Sequence, residues 1–99
     1  MSYVSTHPAA LALAAGQLHS VGSAMAAQNA AAAPLTTGLA PAATDAVSTL
    51  TATQFSAQAA LYQAVTAQAA AIHEMFVATL DAAAGSYATT EAANAITTR

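Results

Sequence analysis

Large apolar side chains fall into two groups along this chain, separated by a cluster of proline and glycine. In the first group Leu11, Leu18 and Met25 recur every seven residues, and Val21 lies three beyond Leu18. At 100° per residue these four occupy an arc of about 80°, the signature of one helical face. Leu13 falls on the opposite side. Pro8 suits the first turn of this helix, where a missing N–H costs nothing. Thr6 or His7 would cap it, with Thr6 the better side chain for the purpose. The helix is predicted over about 8–33. The segment from Pro34 to Pro41 (PLTTGLAP) then carries two prolines and a glycine, which predicts a loop over 34–41.

The second group comprises Val47, Leu50, Phe55, Leu61, Tyr62, Val65, Ile72, Met75, Phe76, Val77 and Leu80. All but Val77 project within an arc of about 160° on a helical wheel. The opposite side is Ala, Ser, Thr and Gln. With Thr44 or Asp45 as cap and no proline or glycine before Gly85, the pattern predicts a helix over about 43–84 and a tail over 85–99. A short connection between two helices favours an antiparallel pair, so the fold class is all-α, an antiparallel two-helix hairpin. One edge of the second helix (Leu50, Leu61, Ile72, Met75) is expected to meet the first helix. The other edge (Phe55, Tyr62, Phe76, Leu80) is expected to face outward.

That stripe is wider than one neighbouring helix can cover. About ten large side chains left half-wet, at roughly 1–2 kcal/mol each, would be a substantial loss. Large exposed apolar strips mark interfaces. The chain is therefore expected to complete a four-helix bundle with a helical partner. Leu11, Leu18, Val21, Met25, Val47, Leu50, Phe55, Leu61, Tyr62, Val65, Ile72, Phe76 and Leu80 are the candidate interface residues. A self-assembling helical protein with no heterologous partner is the simpler alternative.

Composition narrows the functions open to the chain. It has 99 residues, of which 57% are hydrophobic and 5% charged, with a formal net charge of −3. About a third of the chain is alanine, the best helix former. There is no lysine, and Arg99 is the sole arginine, so nothing can track a phosphate backbone and no nucleic-acid partner is expected. There is no cysteine for a disulfide, a zinc-thiolate site or a thiol nucleophile. The N-terminal residues lack the basic region of a Sec-type signal peptide. Polar residues, among them Gln17, His19, Gln28, Gln54, Gln63 and His73, interrupt every stretch long enough to be weighed as a membrane span.

Chemistry-bearing motifs are scarce. His73-Glu74 is not followed by a second histidine at metal-binding spacing, and His7 and His19 stand apart. No nucleophile elbow or glycine-rich phosphate loop occurs, and the four carboxylates are scattered. The reading is of a protein that is not an enzyme and needs no cofactor or metal.

The ordered set of segments resembles the PE family of mycobacteria. The resemblance rests on Pro8 after a short tail, Val21-Gly22-Ser23, Asn29 through Pro34, and Thr36-Thr37. It continues through Pro41-Ala42-Ala43 with Asp45, Val47 and Ser48, then Tyr62 through Val65 and Ala67 through Ala71. His73, Phe76-Val77 and Tyr87 through Ala95 complete it. The family takes its name from a Pro-Glu pair, and here Ala9 follows Pro8. Glutamate there would complete a capping box with Thr6, so Ala9→Glu is expected to stabilise by a few tenths to about 1 kcal/mol.

The resemblance implies a single PE domain over 1–99 that pairs with a PPE-family protein. Such pairs are substrates of type VII (ESX) secretion, with an EspG-type chaperone bound to the PPE chain. The protein is expected to reach the cell envelope or cell surface after assembly in the cytoplasm. Tyr87-Ala88-Thr89-Thr90-Glu91 matches the family's YxxxD/E export motif, and Tyr87 and Glu91 at i and i+4 would project from one helical face. Some pairs of this kind are linked to small-solute uptake. A component of an outer-membrane permeation pathway is thus a further alternative, and membrane contact is left open.

Overall fold

The computed structural model describes residues 4–98. The architecture is all-α, as the pattern predicts: α1 spans Pro8–Thr37 and α2 spans Ala46–Thr97, joined by a linker over 38–45. Two compact units divide the chain. The terminal unit is Met1–Gly22 with His73–Arg99, and the central unit is Ser23–Ile72. Residues 1–3 and 99 of the expected domain and tail lie outside the described residues.

Both helices run further than the sequence predicts. α1 continues past Pro34 to Thr37. Proline in the last turn forfeits a single backbone bond. The hydroxyls of Thr36 and Thr37 brace that turn by donating to the carbonyls of Ala32 (2.8 Å) and Ala33 (2.6 Å). α2 continues past Gly85 to Thr97, so residues 85–97 are helical and not a tail. A glycine ends a helix by adopting a left-handed conformation. No described glycine has positive φ, and Gly85 remains an ordinary helical residue.

The helix starts are set by different groups. Asp45 caps α2: its carboxylate accepts the Ser48 backbone N–H at 2.8 Å and the Ser48 hydroxyl at 3.0 Å. The backbone N–H of Ser48, then its hydroxyl, hold the Asp45 carboxyl below its ordinary value of 3.8. At α1 the His7 carbonyl accepts the Leu11 N–H, so His7 occupies the cap position. Thr6 does not cap. Its hydroxyl donates instead to Glu91 Oε1 at 2.9 Å. Ala9 is then the second helical residue, one short of the position a capping-box glutamate needs, so the gain expected of Ala9→Glu through that device does not apply.

The central unit is a helical hairpin. On α2, Ser48, Ala52, Ser56, Ala59, Gln63 and Thr66 are withdrawn from solvent, at spacings of three and four. On α1, Asn29, Ala32 and Ala33 are their counterparts. The helices are fastened by polar bonds. Gln63 Nε2 donates to the Asn29 carbonyl at 3.1 Å, and the Tyr62 hydroxyl donates to Asn29 Oδ1 at 3.1 Å. The Leu39 N–H donates to Ser56 Oγ at 3.2 Å and ties the linker down.

The terminal unit pairs the start of α1 with the second half of α2. Pro8, Leu11, Ala15, Leu18 and Gly22 of α1 are withdrawn from solvent, as are His73, Val77, Leu80 and Ala84 of α2. Both sets again step by three and four, the period of helices that pack along their length. His73 Nε2 lies 2.7 Å from the Leu18 carbonyl oxygen.

Among the described residues no large side chain is fully buried, and the buried hydrophobic residues are Ala15, Ala52 and Ala84. Elsewhere, serine and threonine hydroxyls fold back onto their own helix. Ser20, Thr49, Thr51, Thr53, Thr79 and Thr89 each donate to the carbonyl four residues earlier.

Candidate interaction surface

The side of α2 that pairs with α1 is not the side the wheel selects. Leu50, Leu61, Ile72 and Met75, expected to meet α1, are 60–68% exposed. In the central unit small and polar residues occupy the inward face in their place. The reason is geometric. Alanine and serine let two backbones approach closely, and side chains such as Gln63 and His73 then reach the opposite main chain. Val77, the one large residue outside the apolar arc, is withdrawn from solvent because it belongs to that inward face.

In the central unit the large side chains form an outward face. Val47, Leu50, Phe55, Leu61, Tyr62, Val65 and Ile72 of α2 are all exposed, as is Met25 of α1. The Tyr62 ring is held in place by its hydroxyl bond to Asn29. The face is therefore partly pre-organised, with one aromatic already fixed in orientation. No charged residue of α2 falls within the Val47–Ile72 segment.

In the terminal unit Phe76 and Met75 of α2 are exposed, with Leu13 and Val21 of α1. Leu80 is half-buried at the margin of the inward face, and Leu11 and Leu18 are half-buried on the side of α1 that pairs with α2. The helical spacing puts Met75 on the inward edge and Leu13 on the side of α1 opposite Leu11 and Leu18. Both carry exposed apolar surface, as expected for Leu13 and against the expectation for Met75.

Tyr87 and Glu91 are both exposed on α2, one helical turn apart and on one side of it. Glu91 Oε1 accepts the Thr6 hydroxyl at 2.9 Å. Glu91 is thus tethered to the segment ahead of α1. Among the described residues no cluster of three or more His, Cys, Asp or Glu stands at metal-binding distance. No described helix is long and apolar enough to cross a membrane.

The family model for PE matches residues 4–94, nearly the whole chain. The chain belongs to the PE family. It is 58% identical over 95 residues to the PE family protein PE13 of Mycobacterium tuberculosis, a match that covers 96% of each. It is 54% identical to PE8 of the same organism over 95% of this chain, but over 34% of PE8. Against the PE-PGRS family protein PE_PGRS33 the identity is 53%, over 96% of this chain and 19% of that protein. This PE-family chain therefore spans nearly all of one relative and about a third or less of the two others.

Proposed function

We propose that this PE-family chain is a non-enzymatic interaction protein that forms an obligate heterodimer with a PPE-family protein. The observation that carries the reading is the outward face of α2, where Val47, Leu50, Phe55, Leu61, Tyr62, Val65, Ile72 and Phe76 are each more than half exposed. Among the described residues alanines alone are buried, so most of their capacity for apolar burial lies outside the helix pair. Half-covering side chains of this size would contribute roughly 1–2 kcal/mol each, enough in sum to hold a long helical partner. A PPE chain that supplies two helices to a four-helix bundle fits that demand.

In this reading the pair assembles in the cytoplasm and an EspG-type chaperone engages it through the PPE chain. A type VII (ESX) system then exports it to the cell envelope or surface. Tyr87 and Glu91 carry the export signal, and their shared exposed side on α2 supports a receptor that reads both together. Co-expression with candidate PPE chains, followed by size-exclusion chromatography, tests the pairing. A soluble 1:1 complex with at least one candidate is expected. A monodisperse lone chain or homodimer that ignores every PPE chain overturns it. Export is tested separately in an ESX-competent cell with Tyr87→Ala and Glu91→Ala. Both are expected to stay in the cell as intact pairs, and undiminished secretion refutes the signal.

A further inference from the structure

We infer that His73 and Gly22 form a lock that sets the register of α1 against α2 in the terminal unit, with the Leu18 main-chain carbonyl as its keyhole. The inference is independent of the identity of any partner. The terminal unit has a register problem. Its inward face on α1 offers Pro8, Leu11, Ala15, Leu18 and Gly22, whose apolar contacts are non-directional. Such a surface tolerates sliding by a turn, so a directional contact is needed to choose one alignment.

His73 supplies it. Its Nε2 lies 2.7 Å from the Leu18 carbonyl oxygen. A carbonyl oxygen accepts and never donates, so Nε2 carries the hydrogen in this contact. Leu18 is inside α1, where its carbonyl already serves the helix's own ladder. It is open to a second donor only if the residue one turn later leaves room. That residue is Gly22. Cα–Cβ bonds tilt toward the helix N-terminus, so a β-carbon at 22 would shade the carbonyl one turn back. In this structure such a β-carbon would lie 2.7 Å from His73 Cδ2 and 2.9 Å from Nε2, closer than real contacts allow. Gly16, on the same helix in the same unit, has nothing within 4 Å of its would-be β-carbon. The two glycines therefore differ in kind: one is a slot filled by an imidazole and the other faces open space.

The test uses the full chain, which has no native cysteine. Thr6 and Glu91 touch in the register of this structure, and a slide of one helical turn would carry them about 5 Å apart. Thr6→Cys with Glu91→Cys, bridged by the short thiol cross-linker dibromobimane, reports that register directly in cell lysate. Efficient cross-linking is expected in this background, and its absence overturns the lock. Gly22→Ala should lower the ratio of cross-linked to uncross-linked chain about fivefold or more, the factor in an equilibrium constant that one hydrogen bond carries. Gly16→Ala should leave it unchanged. His73→Ala should also lower it, and Gly22→Ala added to His73→Ala should lower it no further, because no imidazole remains to collide with. Equal damage from Gly22→Ala with and without His73, equal damage from Gly16→Ala, or full cross-linking in His73→Ala would each overturn the assignment.

Discussion

The inward and outward faces of α2 are built from opposite materials. In the central unit the face toward α1 is Ser48, Ala52, Ser56, Ala59, Gln63 and Thr66, and the face away from it carries Val47, Leu50, Phe55, Leu61, Val65 and Ile72, with Tyr62 at the border, where its hydroxyl reaches Asn29 of α1. An ordinary amphipathic helix turns its large apolar side chains toward its neighbour within the chain. Here the chain keeps its smooth surface for itself and presents its bulk outward. Intrachain pairing in this unit then rests on small side chains plus a few aimed hydrogen bonds, and most of the large apolar surface stays outside the helix pair.

The contrast breaks most visibly where bulk is removed from the outside. Leu61→Ala or Phe76→Ala should cost about 2–5 kcal/mol of binding in the assembled pair, the range for large residues lost from a packed interior. The same changes should barely move the melting of the chain by itself. Pulldown and circular dichroism on the same variants separate the two effects, and equal losses in both would erase the distinction between faces. Adding bulk on the inside should do the converse. Ala52→Leu forces the hairpin apart and should destabilise it by about 1–3 kcal/mol, read as a lower melting temperature.

The Asp45 cap gives a smaller effect with a defined sign. Its carboxyl is held below the ordinary value of 3.8 by hydrogen bonds to Ser48. The capping contribution is therefore present in full above that value and is lost as the pH falls through the folded-state value. Thermal melts between neutral pH and pH values below the ordinary carboxyl range should show this loss in the parent and not in Asp45→Ala. Thr53→Ala gives the smallest change. Thr53 is exposed and its hydroxyl bonds only to the Thr49 carbonyl, so the substitution should alter stability by less than about 0.5 kcal/mol.

Much of this was legible in the residues. The two helices and the width of the apolar stripe follow from spacing, and Asp45 was one of two candidate caps with Thr44, whereas the connection lies at 38–45 and not at the expected 34–41. The partner of each edge did not follow. Hydropathy says where large apolar groups are, and it is silent on whether a nearby helix prefers them or a smooth alanine face. Leu50, Leu61, Ile72 and Met75 were misassigned for that reason. Gly85 read as a stop because glycine so often ends helices, yet its backbone stays helical here and the next turns carry on through Tyr87 and Glu91. The Thr6–Glu91 contact joins residues 85 positions apart and has no local signal at all.

The hydroxyls that donate back to their own helices have one further consequence. A threonine whose hydrogen is spent on the carbonyl of the preceding turn shows water mostly its methyl group. Much of what looks hydrophilic in the composition of this chain is therefore only thinly hydrated, which leaves its few carboxylates and exposed glutamine amides as the most strongly hydrated side chains on its surface.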